Sequence, residues 1–153
     1  MYSYQYELNT TGLRYFTVYG PWYRPDMAIF RFIEGIIAKK PIFVYNNGDM
    51  SRDFTYIDDI IIGTRAAIDK NYKCEIFNIG KGQSIKLLDM IDLIEKELGI
   101  KAVMNFQPIR DGEAIKTFAD IKHSQEKIGF YPKINITEGM PNVINWYKEY
   151  YNV

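Results

Sequence analysis

A chain of 153 residues is long enough to bury one core and short for two domains. Its 19 basic and 19 acidic residues cancel, so no overall field draws it to nucleic acid or an anionic membrane, and an anionic ligand has to be met by a local cluster. The single Cys74 excludes an internal disulfide and suits a reducing cytoplasm, no apolar run approaches the ~18 residues of a membrane span, and Met1-Tyr2-Ser3-Tyr4 has neither region of a signal peptide.

Residues 2–8 read as the last turns of a helix or as a loose arm. Gly12-Leu13-Arg14-Tyr15-Phe16-Thr17-Val18 predicts a strand, and Tyr19-Gly20-Pro21-Trp22 ends it in a loop. Asp26 is placed to cap a helix whose Ile29, Phe30, Ile33, Ile36 and Ile37 share a face. Pro41 opens a short strand, Ile42–Tyr45, and Asn46-Asn47-Gly48-Asp49 is turn chemistry before a strand at Arg52–Thr55. Asp58 or Asp59 starts a helix that runs through Ile68. Glu75–Ile79 is a strand closed by Gly80-Lys81-Gly82, and Ser84-Ile85-Lys86 is a shorter one.

Leu87–Leu98 has the clearest helical period, with Leu87, Leu88, Ile91, Ile94 and Leu98 inward and Gly99 as the stop. Ala102–Phe106 reads as a strand, and Asp120 and Thr137 as caps of two last helices. A cap at Thr137 puts Pro141 at the fourth helical position, where it removes a hydrogen bond. With no repeat and no linker, residues 1–153 read as one mixed α/β domain.

No Gly-x-Gly-x-x-Gly follows a strand, so no dinucleotide cradle is visible, and one His and one Cys cannot build a zinc site. His123 reads as a solvated surface residue. Three loops carry an arginine beside turn residues. In Pro21-Trp22-Tyr23-Arg24-Pro25-Asp26 the guanidinium is either a clamp for carboxylate or phosphate or the partner of Asp26. In Asn47-Gly48-Asp49-Met50-Ser51-Arg52-Asp53 a surface Arg–Asp pair is the simpler reading. Arg110-Asp111-Gly112-Glu113 says little alone. Together the three arginines could meet on a diphosphate.

Leu13-Arg14-Tyr15-Phe16-Thr17-Val18-Tyr19-Gly20-Pro21-Trp22-x-Arg24-Pro25-Asp26-Met27-Ala28 resembles the segment after the catalytic helix in UDP-glucuronate 4-epimerases, of the extended short-chain dehydrogenase type. Pro41-Ile42-x-Val44-Tyr45-Asn46-Asn47-Gly48-x-Met50-x-Arg52-Asp53-Phe54-Thr55-Tyr56-Ile57-Asp58-Asp59-Ile60 is similar to the next stretch, and Phe77-Asn78-Ile79-Gly80 and Trp146-Tyr147 continue the order. The resemblance runs through essentially the whole chain.

In such enzymes a Rossmann domain holds NAD and supplies a Tyr-x-x-x-Lys pair. The tyrosine takes the proton of the sugar 4-hydroxyl as a hydride passes to NAD, and return of the hydride to the other face inverts carbon 4. This sequence has no Tyr-x-x-x-Lys. The resemblance therefore implies an α/β fold that is the C-terminal, substrate-binding portion, with residues 1–20 a remnant of the Rossmann helix and strand. It implies a fragment that is inactive alone, no catalytic residue in this chain, NAD bound mainly by a missing N-terminal domain, and a separate Rossmann-half chain as a partner. A free-standing UDP-sugar-binding or regulatory module, a non-functional remnant, and a 4,6-dehydratase or decarboxylase relative are the alternatives, and a homo-oligomer is left open.

Residue by residue, Phe16 resembles the contact near the nicotinamide, and Thr17 with Arg24 the pair that meets the sugar carboxylate. Tyr45 resembles the residue flanking uracil, Arg52 the diphosphate arginine, and Arg110 with Glu113 the segment that meets diphosphate and ribose. Tyr23 stands where the family usually has Gly, and Glu113 where it has Asp.

Overall fold

The computed structural model describes all of residues 1–153. The chain opens with a short helix α1 (Tyr2–Tyr6), tied down where the Ser3 hydroxyl donates to the Lys73 carbonyl at 2.6 Å. The predicted first strand is two. β1 (Thr10–Tyr15) pairs in parallel with β5 (Cys74–Ile79), Thr10 opposite Cys74 and Tyr15 opposite Ile79. At Phe16 the backbone N–H still reaches the Ile79 carbonyl, and from Thr17 the chain changes partner. β2 (Thr17–Tyr19) then runs parallel to β4 (Ser51–Tyr56), whose other edge takes β6 (Ser84–Lys86) antiparallel. A third sheet pairs β3 (Ile42–Tyr45) with β7 (Met104–Gln107), again in parallel.

These pairings correct the expected fold class. Strand β1 has its parallel partner within the chain, and the parallel α/β layer does not lie wholly outside it. β1 and β5 form it within the chain, and helix α3 (Ile57–Lys70) packs against both. Assigning the NAD-binding sheet to a missing domain fails on the same observation. The partner strand lies some sixty residues downstream, beyond the reach of any local pattern.

Helix α2 (Ala28–Ile37) buries Ile29, Phe30, Phe32, Ile33 and Ile36, close to the predicted face. Its start differs, because Met27 is the cap residue and the Asp26 carboxylate is taken by Arg24. Helix α4 (Leu87–Leu98) has the predicted bounds and stops on left-handed Gly99. Its buried residues are Met90, Ile91, Ile94 and Glu95, and Leu88 is exposed. Helices α5 (Lys122–Ile128) and α6 (Ile136–Tyr151) close the chain. Asn135 caps α6 in a reciprocal box with Glu138, so the helix starts before Thr137 and Pro141 is its sixth residue.

The main core lies between α2, α4 and α6 and the strands β3 and β4, and a smaller one joins α3, β5 and α5. Asp53, fully buried in β4, holds several pieces together. Its carboxylate accepts from the Thr55 hydroxyl and from the backbone N–H of Lys81, Gly82 and Ala119 at 2.8–3.1 Å. A glycine is required at Gly48, where φ is 82° and an added Cβ would sit 2.7 Å from Leu88. No helix is long and apolar enough to cross a membrane.

Candidate functional site

Two cavities open side by side at the C-terminal ends of the parallel strands, where ligands of open α/β sheets bind. The first, about 600 Å³, is walled by the Tyr15–Arg24 segment together with Met27, Ile57 and Thr117. The second, about 670 Å³, runs along one side of α2 between that helix, strand β3 and the loop after β7. Their common wall is Thr17, Tyr23 and Met27.

The structure brings the candidate side chains onto these cavities in two groups. Phe16 and Arg24 line the first, Thr17 lines both, and Tyr45, Arg52, Arg110 and Glu113 line the second. The last four come from segments far apart in sequence. β3 pairs with β7, Tyr45 opposite Gln107, so the Arg110 loop leaves the sheet beside Tyr45. The Arg110 guanidinium stacks on the Tyr45 ring and also donates to its hydroxyl. Arg52, in β4, is fixed by donation to the carbonyls of Ser51 and Ile115 at 3.0 and 3.2 Å and lies 3.9 Å from Glu113.

The surface pair between Arg52 and Asp53 does not form. Asp53 turns to the opposite side and is saturated by backbone donors, leaving Arg52 facing the second cavity. At Arg24 the ion pair does form, with Nε to Oδ1 of Asp26 at 3.0 Å and Nη2 to Oδ2 at 2.5 Å. The hydrogen bond from Arg24 holds the Asp26 carboxyl below its usual value, and the guanidinium is shifted up in return. Arg24 therefore sits on the rim of the first cavity, mostly in solvent, with its charge already matched.

His123 is half-exposed but not free, since it stacks on Phe77 and meets Glu75 at 2.6 Å, away from both cavities. Residues that sequence reasoning did not assign to the site include Tyr23, Met27 and Thr117 in the walls, and Asp53, read there only as a surface partner, behind Arg52. Asp53 carried one available signal: an acid directly before a β-forming run, Phe54-Thr55-Tyr56, and within the same strand is there for buried partners.

Residues 1–80 match the family model of the NAD dependent epimerase/dehydratase family. An uncharacterized protein of Methanocaldococcus jannaschii is 46% identical over 149 residues, which is 97% of this chain and 46% of that protein. The UDP-glucuronate 4-epimerase of Thermodesulfobacterium geofontis is 42% identical over 149 residues, again 97% of this chain and 46% of its own length. Among solved structures, UDP-glucuronic acid 4-epimerase from Bacillus cereus, in complex with UDP-glucuronic acid and NAD, superposes with a TM-score of 0.93 at 38% identity, covering 98% of this chain and 48% of that one. The chain spans about half the length of the curated relatives it matches.

These matches correct further expectations. The family model falls on residues 1–80, β1 included, and the relatives match 97% of the chain, so the reading as a C-terminal substrate-binding half does not stand. Inactivity, a free-standing module, a decayed remnant and a separate Rossmann-half partner all rested on the missing Tyr-x-x-x-Lys pair and glycine-rich motif and on reading the chain as a half. Matches that fill 97–98% of the chain with UDP-glucuronate 4-epimerases support none of them.

Proposed function

Because the chain belongs to the NAD dependent epimerase/dehydratase family, we propose that it binds a UDP-linked hexuronate and serves the NAD-dependent inversion of that sugar at carbon 4. The observation that carries this reading is the gathering of Tyr45, Arg52, Arg110 and Glu113 around one cavity that shares a wall with a second. A nucleoside diphosphate suits the former. Tyr45 offers an aromatic face to the base, the arginines offer forked donors to the diphosphate, and Glu113 offers an acceptor to a ribose hydroxyl. The first cavity then takes the sugar, with the Thr17 hydroxyl and Arg24 within its walls.

Phe16 and Tyr15, at the C-terminal end of β1, form an aromatic wall whose chemistry fits a flat nicotinamide ring. NAD, when bound, supplies the acceptor and donor of the hydride. This chain's side chains orient the sugar against that wall, and the apolar lining from Val18 to Met27 restricts water around it.

A second reading, a neutral UDP-hexose, has one observation in its favour: Asp26 already neutralises Arg24. Titration calorimetry with UDP, UDP-glucuronate and UDP-glucose decides. UDP and UDP-glucuronate are expected to bind, and UDP-glucose more weakly than UDP-glucuronate. Failure of all three to bind would overturn the proposal, and a preference for UDP-glucose would move it to the second reading. The free, exposed Cys74 suits the cytoplasm as the compartment for this work.

A further inference from the structure

Tyr23 is the one aromatic side chain on the wall between the two cavities. It is one of only three residues on the wall common to both cavities, with Thr17 and Met27, and it is the large one. Its neighbour Trp22 is held outward in a left-handed conformation (φ 62°) and lies against Trp146 and Tyr150 of α6, with ring centroids 5.6 and 5.2 Å away. That backbone conformation is costly for a bulky residue and persists because the aromatic contacts hold it. With Trp22 fixed outside, the next residue is delivered inward, where the Tyr23 hydroxyl is shielded from solvent and has no hydrogen-bond partner.

A buried hydroxyl without a partner is destabilising, so the sequence carries a donor whose acceptor is not supplied by the chain. Burial beside Asp26, against the opposing influence of Arg24, pushes the phenol up, which keeps it protonated. A ligand with its nucleotide among Tyr45, Arg52 and Arg110 and its sugar beside Phe16 and Thr17 must cross this wall. The group at the crossing is the sugar-bearing phosphate, rich in acceptor oxygens.

We infer that Tyr23 is a specificity-determining residue whose hydroxyl donates to the terminal, sugar-bearing phosphate of a nucleoside diphosphate ligand as that ligand displaces the ring from the wall between the cavities. The inference rests on the nucleotide-sugar reading of the same site. It assigns to Tyr23 a contact that a nucleoside monophosphate cannot make.

The test is calorimetry of the wild-type chain and Tyr23→Phe against UMP, UDP and UDP-glucuronate, with melting curves of both proteins without ligand. Tyr23→Phe keeps the ring and removes only the oxygen. The expected result is unchanged UMP affinity, a loss of roughly tenfold or more for UDP and UDP-glucuronate, and a ligand-free melting temperature equal to or above wild type. Unchanged affinity for all three ligands would overturn the inference, leaving the hydroxyl as packing only. An equal loss for all three, UMP included, would also overturn it, as a general disturbance of the site. If the wild-type chain binds none of them, the nucleotide-sugar reading itself fails and takes this inference with it. Binding by wild type with no selective loss in the variant removes Tyr23 alone.

Discussion

The Arg110 guanidinium carbon lies over the Tyr45 ring, 3.8 Å from its centroid, joining strand β3 to the loop beyond β7. The pair presents one aromatic face and a fork of donors on the same side of the second cavity as Arg52.

If that cavity takes the diphosphate, Arg52→Ala and Arg110→Ala each weaken UDP binding by about ten- to a hundredfold, the worth of a charge-assisted hydrogen bond. Arg110→Lys keeps the charge but loses planar stacking on Tyr45, and falls between wild type and the alanine variant. Calorimetry at fixed ionic strength measures all three. Wild-type affinity in both alanine variants would remove this cavity as the nucleotide site.

Arg24 and Asp26 form an exposed pair, so it contributes little to folding. Arg24→Ala is expected to shift the melting temperature by less than about 2 °C and to leave UDP affinity alone. Its effect belongs to the sugar: the preference for UDP-glucuronate over UDP-glucose falls in Arg24→Ala and rises in Asp26→Ala, which frees the guanidinium. Equal preference in both variants and wild type would show that the pair is only a surface contact.

Asp53→Asn replaces an acceptor of four hydrogen bonds with a group that has one oxygen and two donors of its own. At least one backbone N–H among Lys81, Gly82 and Ala119 then faces an N–H₂. A destabilisation of about 3 kcal/mol or more is expected in urea unfolding. UDP affinity in the folded fraction should fall as well, because Arg52 is carried on the same turn of strand. A stability change below about 1 kcal/mol would contradict the anchoring role.

Glu95 is buried on α4, which alone would oppose ionisation, yet the hydrogen bonds from Lys101 and the Ala102 N–H outweigh burial and hold its carboxyl below the usual value. A carboxyl lowered in the folded state adds stability that is present above the unfolded value near pH ~4.3 and is lost as the pH falls through the folded one. Glu95→Gln is therefore expected to melt lower than wild type at pH 7, with the difference shrinking in acid below about pH 4.3. Melting curves from pH 7 to pH 3 test this, and a constant difference across that range would rule it out.

The local elements were legible because their causes are local. The bounds of α4, β3 and β6 follow from the periodicity of Leu87–Leu98, the apolar run after Pro41 and the short run after Gly82, each complete within a dozen residues. The long motifs around Arg24 and Arg52 were enough to point to the family. The break of the first strand at Phe16, the parallel partner it finds in Cys74–Ile79, and the turning of Asp53 away from Arg52 were decided only on folding. Each depends on segments brought together across tens of residues, and no periodicity encodes which distant strand supplies the hydrogen bonds. The wall of Thr17, Tyr23 and Met27 is of the same kind: a residue borders two cavities only once three sheets have been packed around it.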